Sequence, residues 1–289
     1  MIRFSNFWIL VPLIAGCAPE AAYQATDFTG EQLFSRNIEG PAWKDGYLYV
    51  VNFGRDGTIG RVDENGHAEL FANLPEGSTA NSIRFNREGD MLMADFTGHN
   101  ILKLDMGTRA VTVFAHDSLF SQPNDIAINA AGQVFASDPG WERGTGRIWR
   151  IDPDGSTHIL ADSLGTANGI TFSPDEKTLY VSESDQRMVW AYRVDENGML
   201  QEKRKFKEFP DFKLDGMKCD NTGNLYITRY DKGAVVIYTP DGVLIGEVLM
   251  RGKKVSNITF GGPDGKTCFV TLQDRGCIET FRSEFSGIQ

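Results

Sequence analysis

The chain contains 289 residues, of which 41% are hydrophobic and 24% charged, and these fractions are typical of a globular protein. Its formal net charge at pH 7 is −10. A basic surface that could release counterions from nucleic-acid phosphates is therefore not expected, and we predict no nucleic-acid partner.

The N-terminal residues 1–17 have the pattern of a bacterial export signal. A positive charge precedes an apolar run, Phe7 to Ala15, that is too short to span a bilayer. The segment ends in Leu13-Ile14-Ala15-Gly16-Cys17, which resembles the cleavage site of bacterial lipoproteins. The alternative is an ordinary export signal that happens to contain a cysteine. We predict lipidation at Cys17, a polar tether over residues 18–29, and a periplasmic-side location in which only the lipid contacts the membrane.

Three further cysteines, Cys219, Cys268 and Cys277, follow the predicted signal. An odd number in an exported chain argues against a disulfide framework. If Cys268 and Cys277 lie on neighbouring strands, Cys268 should face about Phe281 rather than Cys277. We therefore predict free, mostly buried thiols.

A sixfold repeat with a period of about 43 residues organises the rest of the chain. Each copy opens with an oxygen-bearing side chain, continues as a short apolar segment and a turn, and ends in a run of β-forming residues. The opening residues are Glu39, Asn81, Asn124, Asn168, Asp215 and Asn257. Because this period is typical of propeller blades, we predict an all-β, six-bladed β-propeller with four-stranded antiparallel blades over residues 30–289.

The predicted strands follow the chain in groups of four. Blade one is predicted as strands over residues 38–43, 47–52, 58–63 and about 68–72. The fourth strands, which carry the weakest pattern, are predicted over residues 111–115, 157–161, 203–209 and 244–249. The sixth repeat stops after its third strand, Cys277 to Arg282. We predict that a strand over Glu31 to Arg36 fills this gap and closes the ring.

The first strand of each blade should line the central channel, so the six opening residues should form a ring at one mouth. The longest loop that returns to this mouth, residues 138–146, contains Trp141 and Glu142. Glu39 and Asp215 would repel each other in such a ring unless a cation lay between them. Ca²⁺ accepts roughly six to eight oxygen ligands in flexible geometry and therefore suits this ring better than Mg²⁺. The alternative is that the six residues merely cap strand ends.

Five sequence motifs occur in order and at blade spacing. They are Glu39-Gly40-Pro41-Ala42-Trp43, Gln122-Pro123-Asn124-Asp125, Asn168-Gly169-Ile170-Thr171-Phe172-Ser173-Pro174-Asp175, Leu214-Asp215-Gly216-Met217 and Ser256-Asn257-Ile258-Thr259-Phe260-Gly261-Gly262-Pro263-Asp264-Gly265. Together these motifs resemble the SMP-30/gluconolactonase/luciferin-regenerating-enzyme-like family, whose members are six-bladed, calcium-dependent propellers. The resemblance implies metal ligands at Glu39, Asn124, Asn168 and Asp215, with Asn124 also a substrate contact. With the loops at the same mouth, it leads us to predict substrate contacts at Asn81, Asn124, Trp141, Glu142 and Tyr230.

The resemblance implies a calcium-dependent hydrolase of a lactone or related ester, although another divalent metal is an alternative. The metal would polarise the carbonyl, and Asp215 would act as the general base or as the nucleophile. Sugar-lactone members carry Arg where this chain has Gln122, which weakens the case for a sugar-acid lactone. The alternatives are a phosphotriester or aryl-ester hydrolase at the same site, and a non-catalytic envelope binding platform with structural calcium. The sequence carries no indication of the oligomeric state.

Overall fold

The computed structural model describes residues 24–141 and 144–288. Over these residues the chain forms six four-stranded antiparallel sheets and no helix. The innermost strands of successive sheets contact one another in turn, and the last contacts the first, so the sheets form a closed ring. The predicted six-bladed propeller is therefore confirmed. No helix in the described part of the chain is long and apolar enough to cross a membrane, and the predicted signal and Cys17 lie outside that part.

The first three blades run outwards from the channel in chain order. Blade one contains β2 (Phe34–Lys44), β3 (Tyr47–Phe53), β4 (Thr58–Val62) and β5 (Ala68–Asn73). Blade two contains β6 (Ala80–Phe85), β7 (Met91–Asp95), β8 (Asn100–Leu104) and β9 (Val111–His116). Blade three contains β10 (Ile126–Ile128), β11 (Val134–Asp138), β12 (Gly146–Ile151) and β13 (Thr157–Leu164).

The last three blades repeat this order, except that the sixth takes its outer strand from the N-terminal part. Blade four contains β14 (Ala167–Phe172), β15 (Thr178–Glu183), β16 (Met188–Val194) and β17 (Leu200–Glu208). Blade five contains β18 (Lys213–Cys219), β19 (Leu225–Tyr230), β20 (Ala234–Tyr238) and β21 (Leu244–Leu249). Blade six contains β22 (Val255–Gly261), β23 (Thr267–Leu272), β24 (Cys277–Arg282) and β1 (Thr26–Asp27).

The strand that closes the ring is β1 and not the predicted strand over Glu31 to Arg36. Thr26 pairs with Thr280 in β24, and Asp27 pairs with Glu279. The ring is thus closed by an N-terminal strand as predicted, but the strand lies earlier in the chain.

The residues around β1 are correspondingly reassigned. Phe34 and the residues after it begin the innermost strand of blade one. The backbone amide of Phe28 donates to the carbonyl of Ile278 at 2.9 Å, so residues 26–29 belong to blade six rather than to the predicted tether. An ion pair between Asp27 and Arg275, with a 2.6 Å separation, holds the strand in place.

The hydrophobic core lies between neighbouring blades, because each sheet buries both faces. Tyr49 of blade one packs with Ile83 and Met93 of blade two in one such layer. Tyr226 of blade five packs edge to face on Phe260 of blade six, with ring centroids 4.9 Å apart. The channel is therefore left to the inner-strand residues that do not join these layers.

The cysteine predictions are confirmed. Cys219, Cys268 and Cys277 are free and buried. Cys268 pairs across β23 and β24 with Phe281, and Cys277 pairs with Leu272.

Candidate metal centre at one mouth of the channel

The opening residues of the repeats converge at one mouth of the channel, as predicted. Five of them line one cavity of about 380 Å³, namely Glu39, Asn81, Asn124, Asn168 and Asp215. The sixth, Asn257, donates from Nδ2 to Oε2 of Glu39 at 3.0 Å. Asn257 therefore orients Glu39 rather than lining the cavity itself.

Irregularities in the inner strands direct these side chains into the channel. The register with the second strand shifts between Ala167 and Ile170 in blade four and between Leu214 and Met217 in blade five. Blades one, two and six show similar shifts, and in blade three the strand begins just after Asn124. A bulge leaves a residue unpaired in the ladder and re-aims its side chain, which explains how these five blades direct one polar side chain each towards this end of the channel.

Glycines after the ring residues let neighbouring inner strands approach closely. A Cβ at Gly169 would overlap the carbonyl oxygen of Asp215 and lie 2.9 Å from Cα of Gly216. A Cβ at Gly216 would overlap the side-chain amide of Asn257. Blades four, five and six can therefore bring their ring residues together only because these two positions lack a side chain.

Hydroxyl groups near the ends of the second strands hydrogen-bond to backbone carbonyls of the inner strands that carry the ring residues. Ser182 Oγ donates to the carbonyl of Asp215 at 3.0 Å. Thr228 Oγ1 approaches the carbonyls of Gly216 at 2.9 Å and Ser256 at 3.1 Å, and so connects blades five and six. The sequence interpretation missed these residues. The available signal was the recurrence of Ser or Thr at one place in the second strands, as at Ser137, Ser182, Thr228 and Thr271.

The two carboxyl groups of the ring are strongly perturbed. Glu39 and Asp215 are both buried. Burial raises the pKa of Glu39 to about 8, against hydrogen bonds from the Gly40 amide and Asn257 that lower it. Burial first, and the charge of Glu39 second, raise the pKa of Asp215 well above its ordinary value, while a hydrogen bond from Asn168 lowers it. Within the described residues, no Lys or Arg forms an ion pair with either group.

The donor chemistry of the ring fits a hard divalent cation. Two buried carboxylates without a basic partner can both be ionised near neutral pH only if a positive charge lies between them, because each destabilises the ionised form of the other. Asn124 and Asn168 add carboxamide oxygens at the same cavity. Oxygen-only sets of this kind are those preferred by Ca²⁺.

A second group of potential ligands lies at the ring closure and does not suit a metal. Asp27, Cys277 and Glu279 place one ligand atom each within 4.8 Å of one another. However, the guanidinium of Arg275 already forms ion pairs with both Asp27 and Glu279. The positive charge required there is supplied by the protein.

The outer wall of the cavity combines aromatic and amide groups. Trp141 lines it, remains 53% exposed, and packs edge to face on Phe96, with ring centroids 6.5 Å apart. Tyr230 donates its hydroxyl to Oε1 of Gln273 at 2.9 Å. The predicted contacts Asn81, Trp141 and Tyr230 thus reach the same cavity, whereas Glu142 lies outside the described residues.

The basic groups at this mouth are few. Lys213 lines the cavity, but its ammonium pairs with Asp185 at 2.7 Å. Gln122 does not line the described part of the wall, and its backbone amide donates to Oδ1 of Asp138 at 2.6 Å. The described wall therefore presents no unpaired cation to a ligand.

Comparison with known proteins decides the family. A family model described as SMP-30/Gluconolactonase/LRE-like region matches residues 38–274. The chain belongs to this family. The family resemblance inferred from the five sequence motifs is thereby confirmed.

Lactonases are among the relatives of this SMP-30/gluconolactonase-like protein. Pentonolactonase XacC from Haloferax volcanii is 30% identical over 239 residues, which cover 81% of this chain and 80% of that protein. A gluconolactonase from Zymomonas mobilis is 31% identical over 236 residues, which cover 72% of this chain and 65% of that protein. These relatives support a lactone-hydrolysing activity.

A solved structure shares the fold. The calcium-binding protein regucalcin from Agrobacterium tumefaciens superimposes with a TM-score of 0.80 at 20% sequence identity, over 92% of this chain and 98% of that chain. At this identity the likeness concerns the fold alone.

Proposed function

We propose that the protein is a calcium-dependent lactonase whose catalytic centre is the ring of Glu39, Asn124, Asn168 and Asp215. The observation that carries the proposal is the burial of Glu39 and Asp215 together, without a basic partner among the described residues, beside a cavity of about 380 Å³. Burying two unpaired carboxylates lowers the stability of the fold, but the same pair is suited to binding a cation. The lactonase relatives support the reaction class.

Each ring residue has a distinct role in this proposal. Glu39 and Asp215 provide the charge for the cation, and the carboxamides of Asn124 and Asn168 provide neutral oxygens. Asn257 fixes the rotamer of Glu39 through its 3.0 Å hydrogen bond. When bound, Ca²⁺ would supply Lewis-acid polarisation of the ester carbonyl.

Asp215 performs the proton transfer in the hydrolysis. A water oxygen attacks the lactone carbonyl carbon while a side-chain oxygen of Asp215 accepts the water proton. The bond from that carbon to the ring oxygen then breaks, and the ring oxygen takes a proton to leave a hydroxy acid. In the variant pathway, a carboxylate oxygen of Asp215 attacks the carbonyl carbon, and the bond from that carbon to the ring oxygen breaks as the ring oxygen takes a proton. Water then hydrolyses the resulting anhydride, which releases the hydroxy acid and restores Asp215.

The substrate in this proposal is an uncharged lactone. Lys213 is neutralised by Asp185, so the described wall does not offer a free cation for an anionic substrate. Trp141 and Phe96 can cover an apolar face of the substrate's lactone ring, whereas Asn81 can hydrogen-bond to a hydroxyl or carbonyl substituent of the substrate. We retain Glu142 as a proposed substrate contact on the same loop.

A panel assay tests the proposal. The protein from Ala18 onward, treated with a chelator, is offered aliphatic lactones, sugar lactones, aryl esters and a phosphotriester, with and without added Ca²⁺. We expect turnover of a lactone that is lost with the chelator and restored by Ca²⁺. Turnover only of the aryl ester or phosphotriester would assign the site to those reactions. A folded, calcium-bound protein inert to the whole panel would instead favour a binding platform.

We also propose that the protein is exported and held at the cell envelope through a lipid on Cys17. Mass spectrometry of the membrane-associated protein should find the lipid on this residue, and Cys17→Ser should release the protein from the membrane fraction. A membrane-bound Cys17→Ser protein would contradict this proposal.

A further inference from the structure

A second ring of side chains occupies the opposite mouth of the channel. In each blade its member follows the opening residue of the repeat, by three positions in blades one to five and by two in blade six. We call the opening residues the first ring. The members of the second ring are Ala42, Arg84, Ala127, Thr171, Lys218 and Thr259, all buried and all lining a cavity of about 500 Å³. A strand rises roughly 3.3 Å per residue, so this ring lies about 10 Å along the channel from the candidate metal centre.

The second ring carries cations where the first carries anions. Arg84 comes from blade two and Lys218 from blade five, which are on opposite sides of a six-membered ring. Arg84 donates from Nη2 to Oδ1 of Asp125 at 3.0 Å, while its buried Nε has no hydrogen-bond partner. Lys218 forms no ion pair with any described residue. The second ring therefore contains two buried basic side chains, Arg84 and Lys218, and Asp125 forms an ion pair with only the first of them.

The charges at the rim of this cavity do not supply the missing anion. Lys44 pairs with Asp45 at 3.1 Å. Both carboxylate oxygens of Glu176 accept from the backbone amide of Ala130, at 2.8 and 2.9 Å. Among the described residues, neither of these rim carboxylates forms an ion pair with Lys218, so its ammonium has no carboxylate partner.

The surroundings of Lys218 suit an oxyanion with an apolar body. Thr171 and Thr259 lie in the blades on either side of Lys218, where a hydroxyl can join the ammonium in binding one carboxylate. Phe172, Phe260 and Ile288 line the same cavity and provide apolar walls. The volume falls within the range of small-molecule sites and exceeds the need of a single inorganic anion.

Burial of an unpaired ammonium is costly in a site with no ligand. Burial first, and the charge of Arg84 second, lower the pKa of Lys218 to about 7. A bound anion would remove this penalty, since a paired, hydrogen-bonded charge is tolerated in a protein interior.

We propose that this cavity is a binding site for a small organic carboxylate, with the carboxylate between Lys218, Thr171 and Thr259 and the apolar body against Phe172 and Phe260. The inference stands independently of the lactonase proposal, because it rests on a different ring at the other mouth of the channel. The charge of Asp125 raises the pKa of Asp215 at the first mouth and that of Lys218 at the second.

Isothermal titration calorimetry with benzoate, benzamide and inorganic phosphate tests the site, in a buffer free of carboxylates and phosphate. We expect benzoate to bind and the uncharged benzamide not to bind. In Lys218→Met, benzoate affinity should fall about 10- to 100-fold, as expected for loss of a charge-assisted hydrogen bond. The matched control Lys44→Met removes a cation already paired at the rim of the same cavity and should change affinity less than about twofold.

Several results would overturn the inference. They are failure of benzoate to bind, equal affinity in Lys218→Met, and binding of phosphate without benzoate. Lys218→Met is expected to fold, since it removes an uncompensated buried charge, and its unliganded melting temperature should be at least that of the wild type. If it does not fold, Thr259→Val supplies the test with an expected loss of several-fold, and an unchanged benzoate affinity in that variant would equally reject the site.

Discussion

Asp215 of blade five lies buried with Glu39 of blade one, and the charge of Glu39 is the second cause, after burial, of the raised pKa of Asp215. The two residues are far apart in the chain and meet because the propeller brings the first and fifth inner strands to one mouth. A pair of this kind couples proton binding, metal binding and stability.

The stability of the metal-free protein should depend on pH through Glu39. Its pKa is about 8 in the folded chain and close to 4.5 when unfolded, so the folded state binds the proton more tightly. The contribution to the free energy of unfolding is therefore fully present below pH 4.5 and is lost as the pH rises through about 8. Thermal unfolding in the presence of a chelator should show this loss between pH 5 and pH 8.

Calcium should reverse this dependence. Since the cation binds the ionised carboxylates, its stabilisation should grow with pH over the same range. Glu39→Gln is the control, because it removes the titrating group while retaining the shape of the side chain. A pH dependence of metal-free stability that is identical in wild type and Glu39→Gln would contradict the assignment.

Replacement of Asp215 by Asn should abolish most of the lactonase activity. Loss of a general base typically lowers the rate by about 10²- to 10⁴-fold, and loss of a nucleophile has at least this effect. Initial rates on the lactone identified by the panel, at saturating Ca²⁺, measure the effect. Asp185→Asn is the matched control, since Asp185 lies at the same mouth but pairs with Lys213, and its rate should stay within about threefold of wild type.

Two outcomes separate the roles of Asp215. If Asp215→Asn binds Ca²⁺ normally and turns over at the full rate, neither role is correct. If single-turnover hydrolysis in ¹⁸O-labelled water places the label in Asp215 of the wild type, the direct nucleophilic pathway is established, because water then attacks the anhydride at the aspartyl carbon.

The repeated sequence motifs were sufficient to predict the propeller and the ring of opening residues, because each blade must place one inner-strand residue at the same height along the channel. The closing strand was not predictable from local pattern, since Thr26–Asp27 is two residues long and both are exposed. Its position depends on the partner strand β24 and on the ion pair with Arg275. A short alternating run over Glu31 to Arg36 was the stronger local signal and was misassigned.

The sequence also did not predict the contacts that hold the site residues in place. The opening residues reached the cavity, but the hydrogen bond from Asn257 to Glu39 depends on how blades six and one meet. The charged second ring was missed because Arg84 and Lys218 are separated in sequence by three blades. Contacts between distant blades follow from the closed ring and not from any local pattern.

Gly169→Ala should damage the metal centre without touching a ligand. The added Cβ would overlap the carbonyl of Asp215, forcing blades four and five apart. We expect a loss of about 1–3 kcal/mol in the free energy of unfolding, together with weaker Ca²⁺ binding. Gly30→Ala is the control, since its Cβ would meet only Leu33 at 3.8 Å, and its stability should change by about 0.5 kcal/mol or less. Equal effects of the two substitutions would show that the close approach is unimportant.

Thr228→Val should weaken the connection between blades five and six. The substitution keeps the side-chain shape but removes the hydroxyl near the carbonyls of Gly216 and Ser256. A buried acceptor left without its partner costs about 1–3 kcal/mol, which chemical denaturation can measure. Thr112→Val, at an exposed position with a long 3.5 Å contact, should be nearly neutral. A neutral Thr228→Val would mean that the hydroxyl does not support the ring.

The most direct test is a crystal structure of the protein grown with Ca²⁺. We expect one ion at the channel mouth, with oxygens of Glu39, Asn124, Asn168 and Asp215 at roughly 2.3–2.6 Å from it. An ion bound instead by Asp27 and Glu279, or a channel mouth that holds no ion at saturating Ca²⁺, would contradict it.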